Sequence, residues 1–154
     1  MRARGFTIIE LVTVVVIVGA LAVFVVPRLD PEGFDRYGFR QQVVSAARYA
    51  QKTAMASGCD VQLAVDAGAD TVTLNYRAGG DDATCGTASF SEPLQRPDGG
   101  GAFSIGAPDG VDITAGSTLF FDGYGHPNPG TGTTIPFATG PAIVIEAETG
   151  YAHE

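Results

Sequence analysis

Charged residues, and basic ones in particular, are scarce in this sequence. Only 17% of the 154 residues are charged while 45% are hydrophobic, which excludes a disordered polyelectrolyte. Nine Lys+Arg stand against 17 Asp+Glu, so the formal charge is −8. A surface that follows nucleic-acid phosphates is therefore not expected, and nucleic acid is not predicted as a partner. The 21 glycines and 9 prolines indicate a turn-rich body built on one core.

Residues that could bind a metal or perform catalysis are also few. The two histidines, His126 and His153, lie far along the chain from both cysteines, so a tetrahedral zinc site is not expected. Asp81, Asp82 and Asp122 lack the spacing of an EF-hand and are typical of turns. No Gly-x-Ser-x-Gly elbow is present, and no catalytic triad follows from the spacing. The sequence predicts no enzyme, no metal site and no cofactor.

The apolar residues are concentrated near the N-terminus, from Phe6 to Val26. A helix of that length would measure about 30 Å, the thickness of the hydrocarbon layer of a bilayer. Because Arg2 and Arg4 precede it, the N-terminus is expected in the cytoplasm and the rest of the chain across the membrane. An ordinary cleaved signal peptide is the alternative, although the run exceeds the usual length and no small-x-small site follows it.

Glu10 interrupts this apolar run. A carboxylate at mid-helix costs about 2.5–3.5 kcal/mol on insertion scales and less near the interface, so it needs compensation. One interpretation is a snorkelling or protonated glutamate at the membrane edge. The other is a partner charge supplied by a neighbouring molecule.

The stretch Arg2-Ala3-Arg4-Gly5-Phe6-Thr7-Ile8-Ile9-Glu10-Leu11 resembles the processing site of type IV prepilins and type II secretion pseudopilins. The resemblance implies that a prepilin peptidase cleaves between Gly5 and Phe6 and methylates the new amine of Phe6. It also implies that Glu10, then the fifth residue, neutralises the N-terminal amine of a neighbouring subunit during assembly. The expected partners are this peptidase, major and minor pilins or pseudopilins, and the inner membrane, with the body in the periplasm.

The remaining chain predicts an α+β, pilin-like fold. The expected segments are a leader (1–5), a transmembrane or filament-core helix (6–29), an amphipathic helix (30–58) and a β-rich extracytoplasmic domain (59–154). Pro27 should kink or end the first helix, and residues 30–33 should bend the chain before a helix from Asp35 to Ser57. A hairpin with alternating residues 61–65 and 72–76 follows. Further strands are predicted near 103–105, 111–114, 117–121, 134–137, 142–147 and 151–152.

The order of helix, hairpin, variable loop, Phe121-Asp122-Gly123 turn and closing Ile-Val-Ile hairpin is similar to H-type pseudopilins and FimT-like minor pilins. Residues 5–29, with Tyr49-Ala50-Gln51-Lys52, also resemble a minor pilin of the mannose-sensitive haemagglutinin (MSHA) type. The implied function is a structural subunit of a type IV pilus. A type II secretion pseudopilin and an anchored binding module that does not polymerise remain the alternatives.

The two cysteines, Cys59 and Cys85, fall in the part expected outside the cytoplasm, where disulfides persist. A Cys59–Cys85 disulfide is predicted, and two separate thiols are the alternative. Such a bond would stabilise the fold by about 3 kcal/mol in the chain-entropy model.

Overall fold

The computed structural model describes residues 6–25, 31–80 and 84–154. The chain divides into two compact units, Met1–Pro31 and Glu32–Glu154. The predicted leader with Gly5, the predicted kink at Pro27 and the aspartates Asp81 and Asp82 lie outside the described residues.

Helix α1 (Ile8–Val25) is the described element of the first unit. Its sequence, IIELVTVVVIVGALAVFV, is apolar apart from Thr13, Gly19 and Glu10, which lies in the first turn. Over the residues that are described, no helix combines the length and the apolarity that crossing a membrane requires.

Helix α2 (Pro31–Ser57) begins four residues before the predicted start at Asp35. Pro31 does not delay the helix because proline at the first helical position has no backbone bond to lose there. Glu32, in the first turn, pairs with Arg36 at 3.1 Å between Oε2 and Nη2. Of the bend predicted over residues 30–33, Asp30 lies outside the described residues, and residues 31–33 belong to α2. The helix ends where predicted, at Ser57, before Gly58 with its φ of 72°.

Two antiparallel sheets follow α2. The larger has the order β3-β2-β1-β5-β6, with β4 also paired to β2, and the smaller has the order β7-β8-β9. The strands are β1 Val61–Asp66, β2 Thr71–Arg77, β3 Phe90–Pro93, β4 Ser104–Gly106, β5 Ser117–Phe121, β6 Pro127–Asn128, β7 Thr133–Ile135, β8 Ile143–Ile145 and β9 Ala152–His153.

The predicted hairpin is present, with Val61 opposite Tyr76 and Asp66 opposite Thr71. The predicted strand at 111–114 is wrong, since that segment contributes only an isolated bridge between Ile113 and Phe137. Its backbone is held instead by the Asp70 carboxylate, which accepts the Ile113 N–H at 2.7 Å. Strands β3 and β6 were not predicted.

The core lies between α2 and the sheets. One face of α2 is fully buried, and it packs with alternate residues of the strands in a single cluster. The α2 members are Phe39, Val43, Val44, Ala47, Ala50 and Ala54, and the largest strand members are Leu63, Leu74, Phe121, Ile135, Ile143 and Ile145. The α+β architecture predicted from the sequence is confirmed.

Candidate functional site

The N-terminus of α1 carries a reciprocal capping box formed by Thr7 and Glu10. The backbone N–H and the hydroxyl of Thr7 both donate to Glu10 Oε2 at 3.0 Å, and the N–H of Glu10 donates to Thr7 Oγ1 at 3.3 Å. This arrangement satisfies donors at the helix start that have no partner inside the helix. It directs the Glu10 carboxylate toward residue 7, two residues after the predicted cleavage site. The Thr-x-x-Glu spacing is visible in the sequence, although it was not predicted as a cap.

The other hydroxyl in α1 is also satisfied locally. Thr13 Oγ1 donates to the carbonyl oxygens of Ile9 and Glu10, each at 2.9 Å. Such bonds within one turn let a threonine remain in a helix without a polar neighbour. The polar side chains of α1 thus find their described hydrogen-bond partners within α1 and its cap, as an apolar environment demands.

The apolar side chains of this segment are exposed. From Phe6 to Leu21 the large ones range from 48% exposed at Val12 to 85% at Ile8. A helix that is apolar on all sides is stable when it is surrounded by other helices or by lipid. Of the predicted processing pair, Phe6 is 73% exposed and Gly5 lies outside the described residues.

The body contains the Cys59–Cys85 disulfide, with Cα atoms 5.3 Å apart. Cys59 lies two residues after the end of α2, and Cys85 lies between β2 and β3. Beside the disulfide, Arg77 Nε donates to Asp60 Oδ2 at 2.9 Å. The Arg77 guanidinium carbon lies 4.1 Å from the ring centroid of Phe90 and 5.1 Å from that of Phe120. The disulfide thus ties the segment before β1 to the loop between β2 and β3, and the ion pair ties it to the last residue of β2.

Asp122, His126 and His153 take part in local hydrogen bonds of the fold. Asp122 Oδ1 accepts the backbone N–H groups of Tyr124 and His126, each at 2.9 Å, which is turn chemistry. His153 belongs to β9 and bonds Glu146 Oε1 through Nε2 at 2.8 Å. This bond raises the pKa of His153. Within the described ranges, no group of three or more His, Cys, Asp or Glu is placed to hold a metal ion.

The fold of this chain is similar to that of two solved minor pilin and pseudopilin structures, so the predicted pilin-like fold is confirmed. The type IV minor pilin FimU of Pseudomonas aeruginosa, in two crystal forms, matches with TM-scores of 0.53 and 0.56 at 13% identity. The matches cover 74% and 79% of this chain and 87% and 89% of FimU. The minor pseudopilin EpsH of the Vibrio cholerae Type 2 Secretion System matches with a TM-score of 0.54 at 12% identity, covering 77% of this chain and 94% of EpsH. No protein-family model and no curated protein sequence matches the chain.

Proposed function

We propose that this chain is a minor pilin, a structural subunit that helps to initiate or assemble a type IV pilus after processing by a prepilin peptidase. The observation that carries the proposal is the Thr7–Glu10 capping box at the start of an exposed apolar helix that precedes a pilin-like body. The box engages one oxygen of the Glu10 carboxylate, and its negative charge needs a positive partner once the helix is buried among apolar side chains.

The precursor is held in the inner membrane by residues 6–29, with the basic leader in the cytoplasm. Cleavage between Gly5 and Phe6 removes Arg2 and Arg4 and creates a new amine on Phe6, which the peptidase methylates. The capping box places Glu10 Oε2 within 3.0 Å of the Thr7 nitrogen, one residue from that amine. In the filament, Glu10 neutralises the amine of a neighbouring subunit, and the apolar side chains of α1 are buried among those of the other subunits.

A second candidate is a pseudopilin of a type II secretion system, which the similarity to EpsH supports as much as the similarity to FimU supports a pilus. The narrower MSHA assignment rests on the sequence of residues 5–29 and 49–52. Pili and secretion pseudopili use the same processing chemistry, so the two candidates differ in the filament that the subunit joins.

Deletion of the gene for this chain distinguishes the two. We expect a strain without the chain to lose most of its surface pili when they are counted by electron microscopy, and a complemented strain to recover them. If pili are unchanged and an exported protein accumulates in the periplasm instead, the type II secretion function replaces the proposal.

A further inference from the structure

Two cations on α2 have no acidic partner in the part of the chain that the structure describes. Four of the six described lysine and arginine side chains form ion pairs with carboxylates: Arg36–Glu32, Arg40–Glu154, Arg77–Asp60 and Arg96–Asp98. Among the described residues, Arg48 and Lys52 have no carboxylate within 4.0 Å. The chain is strongly acidic, with 17 Asp+Glu against 9 Lys+Arg. Because the two residues are four apart, they lie on the same side of the helix.

The Arg48 side chain is held by hydrogen bonds to uncharged partners, so its positive charge is not neutralised by them. It donates to the Ala152 carbonyl oxygen through Nε at 3.2 Å and through Nη2 at 2.9 Å, and Nη2 also donates to Tyr151 Oη at 3.1 Å. Its guanidinium carbon lies 5.0 Å from the centroid of the Tyr151 ring, which is 52% exposed. The nearby carboxylate of Glu146 is bonded to His153. Arg48 therefore presents a positive charge beside an exposed aromatic ring.

A second exposed tyrosine stands on the rigid Asp122–His126 turn. The turn is closed by bonds from the Gly125 N–H to the Asp122 carbonyl oxygen at 2.8 Å and from the Asp122 N–H to the His126 carbonyl oxygen at 3.0 Å. It packs closely on the end of α2, since a Cβ added at Gly123 would come 2.6 Å from the Gly58 oxygen. Tyr124 at its tip is nevertheless 84% exposed. The ring is thus held outward by a fixed backbone.

Gln51 joins the two tyrosine-bearing segments to one face of α2. Its Nε2 donates to the carbonyl oxygens of Gly125 at 2.9 Å and Thr149 at 2.6 Å. One turn later on the same face, Met55 is 47% exposed and packs against Gly125. The exposed residues that α2 and these two segments carry here are called the Tyr124–Tyr151 surface: Arg48, Lys52, Met55, Tyr124, His126 and Tyr151.

We infer that the Tyr124–Tyr151 surface binds an acidic segment of another pilin-like subunit. Tyr, Arg and Met are the residue types enriched at protein interfaces, and they are gathered here on a mostly acidic molecule. Arg48 and Lys52 supply the charge that an acidic partner complements, and the fixed turn reduces the entropy lost when Tyr124 is buried. The inference rests on the proposed function, because it takes the partner from the filament.

Site-specific photocrosslinking in cells tests the surface with the full chain. The probe is p-benzoylphenylalanine in place of Tyr124, and the control position is Ser91, an exposed residue of β3. We expect an adduct from position 124 alone, whose crosslinked peptide belongs to another pilin-like subunit and contains Asp or Glu. Lys52→Glu should reduce its yield by about tenfold or more, since like charges brought together cost several kcal/mol. Arg96→Glu makes the same charge change elsewhere and should leave the yield unchanged.

Equal adducts at positions 91 and 124, no adduct, or a yield that Lys52→Glu does not lower would overturn the inference. An adduct with a second copy of this chain, or with a protein that is not pilin-like, overturns it as well. The N-terminus of the same chain is read separately by mass spectrometry. A methylated Phe6 without the adduct would refute the inferred binding surface and leave the proposed function intact. The adduct without a methylated Phe6 would refute processing of this chain and leave the binding surface intact.

Discussion

Glu10→Ala is expected to insert and be processed normally but to enter filaments at less than about a tenth of the wild-type level. In the filament this substitution would leave the amine of the neighbouring subunit buried without its partner charge, which is strongly destabilising. Loss of the cap with Thr7 weakens the start of the helix as well. The measurement is the fraction of processed chain that is recovered in sheared filaments, relative to the membrane fraction.

Two further variants separate the charge of Glu10 from its capping role. Glu10→Gln removes the charge but keeps a residue that can complete the capping box with Thr7. Thr7→Ala removes the box but keeps the carboxylate. If the charge is what matters, Glu10→Gln fails as Glu10→Ala does, and Thr7→Ala assembles with a small loss. Normal assembly of Glu10→Gln, together with failure of Thr7→Ala, would show that Glu10 only caps its own helix.

The double variant Cys59→Ser, Cys85→Ser is expected to unfold with a free energy about 3 kcal/mol lower than the wild type. The bond closes a sequence separation of 26 residues, and opening it increases the conformational entropy of the unfolded chain. That is a large fraction of the 5–15 kcal/mol typical of a folded domain. Neither cysteine belongs to the buried core cluster, so the variant should keep the native fold. Denaturant titration followed by far-ultraviolet circular dichroism measures the difference.

A reducing agent provides the matched control for this experiment. It should lower the unfolding free energy of the wild type to that of the double variant and have no effect on the variant itself. An unfolding free energy that neither the substitutions nor the reductant changes would show that the disulfide does not stabilise the body.

The elements with a clear period were predictable from the sequence. The β1–β2 hairpin alternates strictly, and β5 was predicted with its observed bounds, Ser117–Phe121. Helix α2 was predicted from the helical spacing of its apolar residues. Its start at Pro31 was not predicted, because a proline can mark the first position of a helix as well as a break. The pilin-like class followed from the N-terminal motif and the order of elements, and the structural comparisons support it.

The elements that depend on tertiary pairing were not predictable. Strand β3 (Phe90–Pro93) carries only one large apolar residue, and it forms because the edge of β2 is available to it. Apolar and polar residues do alternate in 111–114, but this segment is a loop whose Val111 and Ile113 side chains are buried in the core. The Tyr124–Tyr151 surface unites residues up to 103 positions apart, such as Arg48 and Tyr151, so no local pattern could indicate it.

The mass of the N-terminal peptide decides whether this chain is a processed filament subunit. Chain purified from cells that contain the prepilin peptidase should begin at N-methylated Phe6, and chain from a strain without the peptidase should retain residues 1–5. An intact leader in both strains would exclude processing and favour a simple anchored binding module.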